Sequence, residues 1–180
     1  MKRAILSTAL IGLTGLSVAC GVGGTSASSD DGSDTSTASE KASPTASGPL
    51  TVPVGKTMKV KTMDAEAKVT LTKAKSYDQD QTPDFPQSPK NGAFEVIMVK
   101  AVSVKGQFPV NPFYFKFVAA GGRSYEMTVA TFDPTLDAID LNAGQSTSGN
   151  VAFDVPKSAT KGSKIEISDA GGQPYGYWKL

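Results

Sequence analysis

The chain has 180 residues, with 18 Lys and Arg against 17 Asp and Glu, no His, and Cys20 as its one cysteine. Without His, neither Ser-His-Asp nor Cys-His nucleophilic centres can be built, and a single Cys leaves no His/Cys zinc site. The near-neutral balance lacks the basic footprint of a nucleic-acid binder, so no nucleic acid is expected among the partners.

Met1-Lys2-Arg3 forms a short basic start, and Ala4 to Val18 is an uncharged run that ends at Ala19-Cys20. This is the pattern of a secretory leader over residues 1–19. The run is shorter than the roughly 20 apolar residues that cross a bilayer and is diluted by Gly12, Gly15 and Ser17. Leu16-Ser17-Val18-Ala19-Cys20 resembles a bacterial lipobox, in which the cysteine thiol takes a diacylglyceryl group, although Leu16 stands four residues before Cys20 where the pattern usually has three. The rival reading is type I cleavage, because Ser17-Val18-Ala19 is also a small-x-small site. The sole Cys of the chain falls at the cleavage point, which favours lipid on Cys20. Acyl chains at about 0.8 kcal/mol per buried CH2 would anchor the protein to the extracytoplasmic face of a cell membrane without spanning it.

Residues 20–49 read as the lipidated cysteine and a disordered tether. From Gly21 to Pro49, 23 of 29 residues are Ser, Thr, Gly, Ala or Pro, and Val22 is the only large aliphatic. Such a segment cannot bury enough surface to order itself and would span about 30 Å as a flexible coil. Asp30, Asp31, Asp34 and Glu40 read as solubilising charges.

Residues 50–180 form the one folded domain. Ala67, Val69 and Leu71 alternate with Lys68, Thr70 and Thr72, which predicts a strand with one buried face. Phe94 to Val99 is apolar on both faces, as in a central or bulged strand, and Lys100 either follows a bulge or ends the buried run. Phe113, Phe115 and Phe117 are predicted to face one way. Tyr125, Met127 and Val129 repeat the period after an Ala119–Arg123 hairpin. Asp133-Pro134 carries a helix-start signal for one or two turns. Val151, Phe153 and Val155, then Ile165 and Ile167, add strands, and Asp169-Ala170-Gly171-Gly172 turns the chain into a last strand, Tyr175 to Trp178. The expected fold is all-β, an immunoglobulin-like antiparallel β-sandwich of seven or eight strands.

The order Phe94-x-Val96-x-x-Val99, Phe115-x-Phe117 with Gly122-Arg123-x-Tyr125, Leu141-Asn142-Ala143-Gly144-Gln145, and Gly149-x-Val151-x-Phe153-x-Val155-Pro156 resembles a family of bacterial secreted lipoproteins with an immunoglobulin-like domain of unknown function. The closing Tyr175-Gly176-Tyr177-Trp178 is similar to the secreted immunogenic antigens of mycobacteria that have this fold. The resemblance covers residues 50 to 180, implies fold and location, and brings no catalytic residues.

Candidate sites are few. Asp78, Asp80, Thr82 and Asp84 place oxygen side chains at alternating positions like the first half of a calcium loop, but Pro83 stands where Gly is required and no bidentate Glu follows, so the loop reads as structural. Lys56, Lys59, Lys61, Lys68, Lys73 and Lys75 make the early strands basic; they read as a solvated or protected sheet, with an acidic polymer or anionic headgroup as the functional alternative. Tyr114, Tyr175 and Tyr177 fall out of core phase or near the terminus and are candidates for a glycan or peptide platform. The 17 acids always offer some pair for glycosidase chemistry, and Met58, Met63, Met98 and Met127 lack clustered spacing for a soft metal. The sequence therefore predicts a lipid-anchored extracytoplasmic binding or scaffolding module. It is expected to have no catalytic residue and no cofactor or metal, to meet the membrane through Cys20, and to find its partner in a cell-surface protein or wall component. The alternative is a carboxylate-only enzyme or binding protein acting on cell-wall glycans. An importer subunit would need two lobes where 131 residues give one.

Overall fold

Alternating burial along β3 (Glu66–Leu71), with Ala67, Val69 and Leu71 inward, is the unit from which the fold is assembled. The computed structural model describes residues 49–72 and 75–180. The leader, Cys20 and the tether lie outside the described residues. β3 pairs antiparallel on one side with β2 (Thr57–Lys61) and on the other with β5 (Ala93–Lys105), whose far edge carries β10 (Ser146–Val155) in unbroken register. β4 (Lys75–Tyr77) follows β3 along the same edge of β5. The second sheet has the order β1 (Leu50–Pro53), β12 (Pro174–Lys179), β11 (Lys164–Ser168), β7 (Phe115–Val118), β8 (Ser124–Glu126). β6 (Phe108–Val110) and β9 (Ile139–Leu141) make a small two-stranded ribbon. The twelve described strands exceed the seven or eight expected, because short edge pieces add to the alternating runs, and β1 pairs parallel to β12, so the sandwich is not wholly antiparallel.

The inner faces of both sheets share one core. Met58, Val69, Ile97 and Phe153 come from the first sheet, and Phe115, Phe117, Ile165 and Trp178 from the second. Phe117 and Phe153 meet across the layer with ring centroids 6.1 Å apart. The Trp178 indole N–H, which could not be buried unpaired without cost, donates to the Lys56 carbonyl at 2.9 Å. Burying each such aromatic contributes about 2–3 kcal/mol.

The two-faced run of β5 has a second explanation outside the sandwich. Phe94 and Val96 point outward and are covered by Phe132, with Ala152, Tyr77 and Ala130 around them. No shift occurs in the β5–β10 register, so Lys100 ends the covered stretch and is exposed. Three local expectations are corrected. Asp133-Pro134 starts no helix; Asn150 N–H donates to the Pro134 carbonyl and Leu136 N–H to the Asn150 carbonyl, so the segment extends the edge of β10. Phe113 is 64 % exposed, because Pro112–Tyr114 is a 3-10 turn and the strand begins at Phe115. Val129 is 93 % exposed, the pairing of β8 having ended at Glu126.

Candidate functional site: an apolar cavity rimmed by two tyrosines

The site begins with an irregularity in β12. Pairs between β11 and β12 run regularly from Lys164↔Lys179 to Ile167↔Gly176, and the next is Ser168↔Pro174, which leaves Tyr175 as the extra residue of a bulge. A bulge re-aims a side chain, and Tyr175 packs against the core cluster. Tyr177 keeps the regular phase opposite Trp178, and Lys164 Nζ lies 3.6 Å from its ring centroid. Gly176 between them has to be Gly: a Cβ there would come within 2.6 Å of Met58 Sδ and 2.7 Å of the Leu50 carbonyl.

Tyr114 reaches the same place from the other side. It closes the 3-10 turn whose cap is Asn111, with the Phe113 N–H donating to Asn111 Oδ1 at 3.0 Å, and the Ser168 hydroxyl donates to the Tyr114 carbonyl at 3.3 Å. Asp169 in the β11–β12 turn is fixed by the N–H groups of Gly171 and Gln173, each 2.8 Å from Oδ1. Beneath these groups lies a cavity of about 200 Å³. Val69 and Ala101 of one sheet, Phe115 and Ile167 of the other, and Phe108 and Val110 of β6 make its apolar wall. Partial burial, then the Asp169 charge, then the Tyr114 phenol, push the Tyr175 phenol above its ordinary value, so at neutral pH it is a protonated donor at the mouth. Of the three tyrosines singled out in the sequence, two converge here and Tyr177 does not. No local pattern could have revealed the cavity, because its wall comes from β3, β5, β6, β7 and β11.

Among the described residues the acids do not assemble a second site. Asp78 pairs with Lys157 at 2.7 Å on the surface. Asp80 accepts from the N–H groups of Gln87 at 2.8 Å, Thr82 at 3.2 Å and Thr131 at 3.2 Å, and from the Thr82 hydroxyl at 2.9 Å. Desolvation alone would raise its carboxyl, but these donors outweigh it and hold it below the ordinary value. The carboxylate is thus a staple of its loop. Glu95 is the other buried carboxylate among the described residues; burial raises it, and it accepts from the Ser76 hydroxyl. Neither lines the cavity, and among the described residues no three His, Cys, Asp or Glu side chains converge as a metal site would need.

The early lysines divide. Lys59 and Lys68 are directly opposite each other on the outer face of the first sheet, Lys56 lies in the β1–β2 turn, and Lys75 faces an outer groove beside Tyr77; Lys73 lies outside the described residues.

Residues 52–174 match the family model DUF4352, a domain of unknown function. No curated protein matches the sequence. Among solved structures the chain is similar to MPT63, a secreted protein from Mycobacterium tuberculosis, at 17% identity and TM-score 0.59, over 74% of this chain and 99% of that one. It is similar to the yjhA protein from Bacillus subtilis at 14% identity and TM-score 0.52, over 71% and 98%. A third likeness is to ycdA from Bacillus subtilis, provisionally assigned as a lipoprotein, at 15% identity and TM-score 0.51; it covers 72% of this chain and 38% of that one. At these identities the likenesses show the shared β-sandwich fold.

Proposed function

Since the chain belongs to the DUF4352 family, a family of domains of unknown function, its role has to be argued from its own surface, and we propose that it is a non-catalytic extracytoplasmic binding module. In this reading it is held at the membrane by lipid on Cys20 and takes a small apolar ligand under Tyr114 and Tyr175. The observation that carries the reading is the cavity: an apolar space of about 200 Å³, open at a mouth with phenol and carboxylate groups. Location is supported by the leader pattern ending at Cys20 and by structural neighbours described as a secreted protein and as a provisional lipoprotein.

Size and charge set the ligand class. An engineered apolar cavity of about 150 Å³ takes benzene, so this one suits a substituted aromatic ring or the end of an acyl chain. Asp169 at the rim disfavours an anionic head, whereas the hydroxyls of Tyr175 and Tyr114 can donate to a neutral oxygen. The test starts from protein extracted from the membrane fraction, from which the Cys20→Ala chain is expected to be released into the medium once salt is raised to about 0.5 M. Benzyl alcohol and benzoate are titrated in turn while amide NMR shifts are followed. Benzyl alcohol is expected to perturb residues of β5, β7 and β11 saturably with Kd of the order of 0.1–1 mM, as suits a ligand of this size, and benzoate to bind at least about tenfold more weakly. Ala101→Leu, which fills the space, abolishes both. Shifts that do not saturate, or that survive Ala101→Leu, defeat the reading.

A further inference from the structure

The two outer faces of the sandwich carry charge in different ways. On the second sheet, a cross-strand row reads Tyr177, Glu166, Lys116, Glu126, and Lys116 Nζ lies 3.1 Å from Glu126. That row carries one net negative charge, and the adjacent row sets Lys164 opposite Lys179, so the two rows together come to one net positive charge. On the first sheet, the outward residues form a grid of three rows: Lys61, Glu66 and Lys105; then Lys59, Lys68, Val102 and Ser146; then Thr57, Thr70, Lys100 and Ser148. Five lysines stand against Glu66, which Lys61 Nζ already contacts at 3.3 Å.

Lys59 and Lys68 are a directly opposed pair of like charge, an arrangement that destabilises a sheet by itself. Lys100, two residues along the neighbouring strand from the partner of Lys68, adds a third. Sheet geometry places such groups about 5 Å apart across strands and about 7 Å apart along them. None of Lys59, Lys68 and Lys100 pairs with an acid among the described residues.

We propose that this outer face of β2, β3 and β5 is a docking surface for an anionic lipid surface. The shape of the face chooses the occupant. The lysines spread over three strands of a pleated plane, whereas a linear polyanion is better held by a single row between walls. A planar array of cations matches a planar array of headgroups, and Ser146 and Ser148 supply hydroxyl donors among the charges, beside Thr57 and Thr70, whose hydroxyls bond each other at 2.8 Å. At the margin, Met63 in the β2–β3 turn is 95 % exposed beside Asp64, and Val104 is 46 % exposed, giving two apolar groups able to enter the headgroup layer. This surface is distinct from the cavity, so its failure and the failure of the binding reading are separable.

The test uses the chain from residue 20 onward with Cys20→Ala, so that no acyl chain contributes. Cosedimentation is measured with phosphatidylcholine vesicles, with and without about a third phosphatidylglycerol. Binding is expected only with the anionic lipid, and to fall steeply as salt is raised from about 0.1 to about 0.5 M. A lysine near such a surface contributes a factor of about five, so the triple variant Lys59→Gln, Lys68→Gln, Lys100→Gln is expected to bind about a hundredfold more weakly. Lys116→Gln with Lys164→Gln, on the opposite face, should change binding by less than about twofold. All side chains changed are on the surface, and buried Trp178 emission verifies the fold of each variant. No binding to the anionic vesicles, binding untouched by the triple variant, or binding to soluble polyphosphate in place of vesicles overturns the proposal.

Discussion

Asp80 and Glu95 are both buried carboxyl groups, and their neighbours give them opposite behaviour. Burial disfavours the charge on each, but three backbone N–H groups and a threonine hydroxyl reverse that effect on Asp80, while among the described residues Glu95 accepts only from Ser76. Because the folded state holds a proton on Glu95 more tightly than the unfolded chain does, its contribution to stability is most favourable at low pH. That contribution is lost as pH rises from the unfolded value of about 4.3 through the raised folded value. At neutral pH, the charged form is therefore a liability. Glu95→Gln keeps an oxygen to accept from Ser76 and removes the charge, so Tm at pH 7 should rise by about 2–6 °C. The gain should vanish near about pH 3, well below the unfolded value, where Glu95 is protonated in both states. A lower Tm for the variant at pH 7 would mean that the carboxylate has a stabilising partner after all.

At the scale of elements, strand identity was legible in the sequence and strand limits were not. Ala67/Val69/Leu71, Val151/Phe153/Val155 and Ile165/Ile167 alternate because alternation is what a half-buried strand requires, and each is buried as the period predicts. Phe113 and Val129 keep the same period yet are exposed, since Pro112 turns the chain before β7 and β8 loses its partner after Glu126. Tyr175 was visible only as an aromatic out of phase; the bulge that aims it into the cavity depends on pairing with Ser168, which no local pattern encodes. Asp133-Pro134 failed for the same reason in reverse, as hydrogen bonds to the edge of β10 outweighed a short helix signal. That edge pairing has a measurable consequence at Gly149. A Cβ there would collide with the backbone of Leu136, which has no flexible end to move aside. Gly149→Ala should push the 134–136 segment off β10 and draw buried Leu136 out of the core, at a cost comparable with deleting that side chain, about 2–5 kcal/mol. Urea denaturation measures it, and a loss below about 1 kcal/mol would mean that the segment shifts without leaving the core.

For the molecule as a whole, the question is whether two sheets with a cavity between them at one end behave as one unit. The core cluster answers in structural terms: Phe117 of one sheet and Phe153 of the other are neighbours, and the single tryptophan, Trp178, lies fully buried with its N–H tied to Lys56 in the turn that leads into the opposite sheet. Separating the sheets would strand that indole donor and expose both phenylalanines, so neither sheet is stable alone. Trp178 emission, which reports the core, and far-UV circular dichroism, which reports strand content, should therefore follow one urea transition with the same midpoint and a slope of about 1–3 kcal/mol/M. An apolar ligand in the cavity touches both sheets and should move the two curves together by the same amount, because it binds only where the sheets are joined. A Trp178 transition that precedes the loss of strand signal would show the sheets parting first, and the cavity would then be a seam between two separable layers.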